Sequence, residues 1–154
     1  MKEELLVPFT NATCQTLKML LDVDALAESA DCAGVCSDEA GRISVAIGLT
    51  GDISGEALYR FRADTSLEIV KIMSGMEFTE IDEFVTSALG EIANIISGNA
   101  ATDLTNSDIT CDILPPRIFE GGELPSHDET TYVFSTKINT PIGEVEVSLR
   151  VQAE

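Results

Sequence analysis

Positive charge is scarce in this sequence. Nine lysines and arginines stand against 27 acids, for a formal net charge of −18 at pH 7. A surface of that sign repels phosphate backbones and anionic headgroups, which argues against nucleic-acid and membrane-surface functions. Tryptophan is absent, aromatics make up 5% of the chain, and His127 is the sole histidine. It lies in ELPSHDET, which reads as loop, so neither a Ser-His-Asp nor a Cys-His mechanism assembles readily. No G-x-G-x-x-G, P-loop or H-E-x-x-H occurs. No apolar run approaches the roughly 18 residues of a membrane helix. The opening MKEELLVPF lacks a charged-then-apolar signal pattern, and a cytoplasmic protein is expected. Cysteine is sparse as well. Cys32 and Cys36 form a C-x₃-C, but no second pair and no nearby histidine completes a zinc site. Together with Cys14 and Cys111 they read as small apolar thiols in a reducing compartment, and no metal site is expected.

What the chain does have is apolar residues in regular order. They form 44% of its 154 residues, enough for one domain spanning 1–154 with one sizeable core. A first helix is predicted from Pro8 to Leu21, with Phe9, Leu17, Leu20 and Leu21 apolar. CAGVCSDEAGRISVAIGLTGDISGEALYRF reads as strands. Ile43, Val45, Ile47 and Leu49 alternate with small or polar residues, and TGDISG supplies a turn. ADTSLEIVKIMSG is a second helix, capped by Asp64 or Thr65 at its start and Gly75 at its end. SDITCDILPP reads as a strand stopped by Pro115 and Pro116, and IFEGGELPSHDET as a loop. TYVFSTKI and GEVEVSLRVQ form a closing hairpin around NTPIG. In its last strand Val145, Val147, Leu149 and Val151 alternate with Glu146, Ser148, Arg150 and Gln152, the pattern of a half-buried antiparallel strand. The order of elements gives an α+β single domain with helices packed on an antiparallel sheet.

The third helix carries the chemistry. It starts after EFTEID, with Thr79 and Asp82 in N-cap and N3 spacing, and runs to about Leu104, with Gly98 the place where it can bend. At about 100° per residue, Ile81, Phe84, Val85, Ala88, Leu89, Ile92, Ile95 and Ile96 fall on one apolar stripe. Ser87, Glu91, Asn94 and Gly98, spaced 4, 3 and 4 apart, fall on a second stripe centred about 120° away. An acid and an amide therefore project together, with small residues around them where a partner's backbone fits. The bare E-x-x-N spacing is uninformative: sixteen glutamates and five asparagines produce it by chance about once in two such chains. A solvated helix face has the same look, and no neighbouring ligand supports a metal there.

Several stretches taken together are more specific. IGLTGDISGEALYRFRADTSLEIVKIMSGMEFTEIDEFVTSALGEIANIISGNAA resembles the CheC/CheX/FliY chemotaxis phosphatases, CheX most closely. The family pattern is an acid or serine, three residues, glutamate, two residues, asparagine, then a proline just over twenty residues on. Here that pattern is met by Ser87, Glu91, Asn94 and Pro115-Pro116. The resemblance is strong from Ile47 to Pro116 and extends to the first helix and last hairpin only in layout.

The resemblance implies hydrolysis of the aspartyl phosphate of a phosphorylated CheY-type response regulator. Asn94 is then the amide that places the attacking water, and Glu91 the ion-pair partner of a lysine at the regulator's active site. Ser87, Gly98, Pro115 and Pro116 belong to the partner-binding surface. No cofactor is held by this chain, and Mg²⁺ belongs to the regulator. The first helix offers only Gln15-x-x-Lys18 at the comparable place, which implies one site per chain, as in CheX-like members. A homodimer joined through the sheet is expected, because an open sheet edge is a liability. The competing expectations are a non-catalytic docking module of the same fold and an unrelated homodimeric structural domain.

Overall fold

The computed structural model describes residues 5–27, 42–120 and 131–152. Cys32, Cys36 and His127 lie outside the described residues. The elements in order are α1 (Leu6–Leu21), β1 (Leu26–Ala27), β2 (Arg42–Gly51), β3 (Gly55–Arg62), α2 (Ala63–Ser74), α3 (Glu83–Asn106), β4 (Cys111–Ile113), β5 (Arg117–Glu120), β6 (Thr131–Thr140) and β7 (Gly143–Gln152). Every strand pairing is antiparallel, and the sheet order is β1-β6-β7-β3-β2-β4, with β5 also on β2.

One face of the sheet is apolar and carries the helices. Val45, Ile47, Tyr59, Phe61, Val147 and Leu149 are buried there. Phe9 and Leu17 of α1 and Leu89, Ile92 and Ile96 of α3 join the same cluster. Burying these side chains against one another stabilises the layers by about 1.5–3 kcal/mol for each large one. α2 stops at Gly75, whose φ of 75° puts it in the left-handed region that glycine enters without strain. It starts at Ala63, so Asp64 lies inside the first turn, where its Oδ1 accepts from the Thr65 N–H at 2.9 Å.

The opposite face departs from expectation. The alternation in β7 is correct, but the polar set is not solvated: Ser148 is 0% exposed, Arg150 4% and Glu146 7%. Ala46, Leu58 and Arg60 beside them are also buried. Polar side chains tolerate this because the charges are paired across registered strands. Arg60 Nη1 donates to Glu146 Oε1 at 3.1 Å, and these two residues are register partners in β3 and β7. Glu56 receives Arg117 Nη2 at 2.7 Å and faces Arg150 Nη1 at 3.8 Å. Polarity alone therefore misread the central strands as half-buried.

The stretch read as a loop after Pro116 begins as a strand. β5 pairs Ile43–Ala46 of β2 with Glu120–Arg117, while β4 pairs Leu49–Gly51 of the same strand. Pro115 and Pro116 interrupt this edge because proline has no N–H for the ladder. Leu114 stays on the sheet, its N–H bonded to Gly48 O at 2.9 Å. A Cβ on Gly48 would lie 2.7 Å from Leu114 Cδ1, so glycine is what lets the proline segment lie close over β2. Four residues between prolines and a Gly-Gly pair are too few to show alternation, which is why sequence reading missed the strand.

Candidate functional site

α3 is set in place at both ends and along one side. Its N-cap is Asp82, not Thr79: the Asp82 carboxylate accepts from the Val85 N–H at 3.0 Å, so the helix starts one turn later than the capping-box reading has it. It runs unbroken past Gly98 to Asn106. Inside the core, Tyr59 Oη and Ser97 Oγ share a 2.8 Å hydrogen bond between β3 and α3. Burial pushes the Tyr59 phenol upward from its ordinary value, so it remains a neutral hydrogen-bonding group.

That anchoring fixes the rotation of α3, and the rotation differs from the predicted stripe. The buried residues are Val85, Leu89, Gly90, Ile92, Ala93, Ile96, Ser97, Ala100 and Leu104. Phe84 is 52% exposed and Ile95 39%, so both leave the core stripe to which they were assigned, and Ala88 is only half-buried. The small residues Ala93, Ser97 and Ala100 lie within the buried face, where they let the helix approach its neighbours closely, and Gly90 lies at its edge beside Pro116 and Ile118.

The flank opposite that contact forms one wall of a groove of about 920 Å³. Ser87, Gly90, Glu91, Asn94 and Ile95 line this wall. The other wall is Ile113, Leu114, Pro115, Pro116 and Ile118, from β4, the proline segment and β5. Five residues singled out from the sequence (Ser87, Glu91, Asn94, Pro115 and Pro116) are thus brought together, across more than twenty residues of chain. Gly98 is not in the groove lining. It is half-buried one turn on, where a Cβ would stand 3.9 Å from Ile113 Cδ1, at the contact of α3 with β4.

Glu91 is the one charged side chain of the groove lining. Neither it nor Asn94 makes an ion pair or hydrogen bond with the described residues, in contrast to the acids elsewhere on the molecule that hold arginines and lysines. Three residues apart, the two side chains differ by about 1.5 Å × 3 in height and by about 60° in direction. An unengaged carboxylate and an unengaged amide therefore stand side by side over an apolar trough. The pair offers one anionic contact beside an amide that can both donate and accept. Among the described residues, no group of three or more His, Cys, Asp or Glu side chains is placed to hold a metal ion. Cys14 and Cys111 are free, and burial raises both thiols above their ordinary value. That keeps them protonated and unreactive.

Sequence reading missed the apolar part of the groove. Ile95 lies only about 40° around the helix from Glu91, closer than Ile92 or Ile96, so the angle alone was a usable signal. Gly90 had a weaker one, an unforced glycine in mid-helix. A Cβ there would meet Pro116 Cγ and Ile118 Cδ1 at 3.6 Å, ordinary contact distance.

Comparison with known proteins bears on the same elements. The sequence model described as chemotaxis phosphatase CheX matches residues 43–138, from β2 through the groove to β6. The chain belongs to the chemotaxis phosphatase CheX family. A 79-residue stretch is 39% identical to the CheY-P phosphatase CheX of Thermotoga maritima, covering 51% of each protein, so the match spans about half the length of that curated relative. The fold is that of CheX structures. The chemotaxis protein CheX of Desulfovibrio desulfuricans superposes with a TM-score of 0.83 at 23% identity, over 97% of this chain and 99% of that one. CheX from Borrelia burgdorferi, solved as a CheX–CheY–BeF₃–Mg²⁺ complex, gives 0.79 at 22% identity over 96% and 97% of the two chains. The helix-on-sheet arrangement of this CheX-family chain is therefore the α+β, CheC/CheX-like fold expected from sequence. No described helix is long and apolar enough to cross a membrane.

Proposed function

We propose that this chain hydrolyses the aspartyl phosphate of a CheY-type response regulator, ending its signal. The observation that carries the reading is the pairing of Glu91 with Asn94, both without partners among the described residues, on the α3 wall of a groove faced by Pro115 and Pro116. Membership of the chemotaxis phosphatase CheX family supports it.

The chemistry suits these residues. An acyl phosphate has a good leaving group, a carboxylate of ordinary pKa near 4, so its departure needs no general acid. The difficult part is holding a water in line with the breaking P–O bond. The Asn94 amide accepts a hydrogen bond from that water through its oxygen and donates through its nitrogen, which fixes the water's position. The water oxygen bonds to phosphorus, the bond from phosphorus to the aspartate oxygen breaks, and the carboxylate leaves as an anion. The water's proton passes to the phosphate product. Glu91 forms an ion pair with a lysine of the regulator, which seats the helix and aims the amide. The regulator supplies its own Mg²⁺; this chain holds no cofactor. Ser87 and the proline wall leave room for the regulator's loops.

A homodimer goes with this reading. β1 pairs with β6 only at Ile138 and Asn139, so along Thr131–Lys137 no described strand lies outside β6. A second copy pairing at a sheet edge covers that ladder and leaves the α3 groove free. Light scattering at micromolar concentration checks it; a monomer throughout contradicts it.

The catalytic test is phosphate release from a phosphorylated regulator with and without this protein. Acceleration by the parent, and a loss of about 10²-fold or more with Asn94→Ala at unchanged regulator affinity, are expected. Equal rates for parent and variant would remove Asn94 from the mechanism. Binding without acceleration would mark a docking module.

A further inference from the structure

We infer that Phe84, stacked on Phe78, is the apolar anchor by which the site helix grips the activated regulator, an inference that rests on the function proposed above. The two rings lie 5.2 Å apart between centroids and 13° from parallel. Phe78 is half-buried and packs against the core, while Phe84 is 52% exposed on top of it. The ring thus stands on a fixed ring and open to solvent at the helix start, beside Asp82, whose carboxylate caps the Val85 N–H.

Its position gives the ring a role. Phe84 precedes Glu91 by seven residues, two helical turns, so it lies on the same flank within about 20° and about 10 Å towards the N-terminus. Ser87 stands between them. The flank thus runs as aromatic ring, small residue, carboxylate, amide. Beyond Asn94 the same helix exposes Thr102, Asp103 and Thr105, which are polar. A stable protein contact covers about 800 Å² on each partner, so a regulator seated over Glu91 and Asn94 extends past the groove. Along α3 and past the groove, the Phe84 end is the apolar direction, and buried aromatics are the residues that dominate such contacts.

Charge sharpens the identity of the contacting patch. A net charge of −18 gives no long-range attraction to an acidic partner, so short-range apolar contact has to supply affinity. The segment that carries the two rings also exposes Glu77, Glu80, Asp82 and Glu83, of which Glu77 already pairs with Lys71 at 3.4 Å and Asp82 caps the helix. The complementary surface is therefore an apolar side chain bordered by lysine or arginine, near the regulator's phosphorylated aspartate.

The experiment uses the full chain and the CheY-type regulators of the source genome, each activated with beryllofluoride and Mg²⁺ for binding and phosphorylated for turnover. Phe84→Ala is expected to raise Kd and KM by about 10-fold or more at an unchanged saturating rate, with Phe84→Tyr close to the parent. Asn94→Ala should show the reverse split. Thermal melting confirms folding of each variant; if Phe84→Ala melts early, Phe84→Glu keeps a long side chain on Phe78 and should bind worse still. Parental Kd and KM for folded Phe84 variants, in the presence of an active parent, would overturn the anchor alone. A changed oligomeric state with unchanged regulator affinity would hand the ring to a second copy and overturn it too. A parent that neither binds nor dephosphorylates any regulator would bring down the proposed function, and the anchor with it.

Discussion

α1 and α3 pack against each other on the same face of the sheet, and the proposed site lies on only one of them. Each buries an apolar stripe, and each presents a polar pair three residues apart, Gln15 and Lys18 on α1, Glu91 and Asn94 on α3. The difference lies in what surrounds the pairs. Lys18 Nζ is bound by Asp22 and Asp24 of its own chain, both at 3.3 Å, and the hydrogen bonds it donates to Asp22 and then Asp24 push the ammonium up from its ordinary value. Its charge is committed where the helix ends. Glu91 and Asn94 are committed to nothing among the described residues, and Leu114–Pro116 build a wall opposite them. On the proposed reading, a pair of polar residues becomes a reagent when the fold withholds internal partners and adds a wall.

The comparison breaks first through the core. Ile92→Ala in α3 and Leu17→Ala in α1 each remove a side chain that is at most 2% exposed, and each should cost about 2–5 kcal/mol. For a chain of this size that lowers Tm by roughly 5–20 °C, read by calorimetry. The two helices are expected to behave alike in this respect; a negligible shift for either would mean that its stripe is not holding the layer.

The next largest effect separates them. Glu91→Lys sets two positive charges together in the proposed complex and should weaken regulator binding by about 10-fold or more, as well as turnover, at unchanged Tm. Isothermal titration with the activated regulator reads it directly. Affinity equal to the parent's would leave Glu91 a solvated acid like its neighbours. Smaller again, Asp82→Ala leaves the Val85 N–H without its cap and should cost about 1 kcal/mol in chemical denaturation. It should also fray the turn that carries Phe84. Gln15→Ala is the control: no change in affinity or turnover is expected, because its neighbour Lys18 is already held by Asp22 and Asp24. A clear loss of activity there would reveal a second site and end the asymmetry.

The same contrast explains what was legible beforehand. The period of α3 and the 4-3-4 spacing place Glu91 and Asn94 on one flank, and the prolines stand out as strand-breakers. Phe84 and Ile95 were assigned to the core because every apolar residue near the stripe was counted as facing inward. Close approach of Gly90, Ala93, Ser97 and Ala100 to the neighbouring layers rotates the real buried face away from them. Thr79 looked like the cap because threonine with an acid three residues on is a common start, yet Asp82 caps one turn later. β5 hid behind two prolines.

By itself the sequence determined the α+β order, the alternation of the strands, the ends of α1 and α2 to within a residue or two, and the family to which the chain belongs. These follow from local periodicity and turn chemistry, which a chain expresses without reference to distant parts. The tertiary structure decided which polar residues are buried and which are left unengaged. Arg60, Glu146 and Arg150 look like surface residues until paired strands bring opposite charges into register. Glu91 and Asn94 look like surface residues too and are left without partners among the described residues. Pro115 and Pro116 become a wall only because β4 and β5 both fasten to β2 on either side of them. Burial and partnership are set by distances between segments far apart in the chain, which no local pattern contains.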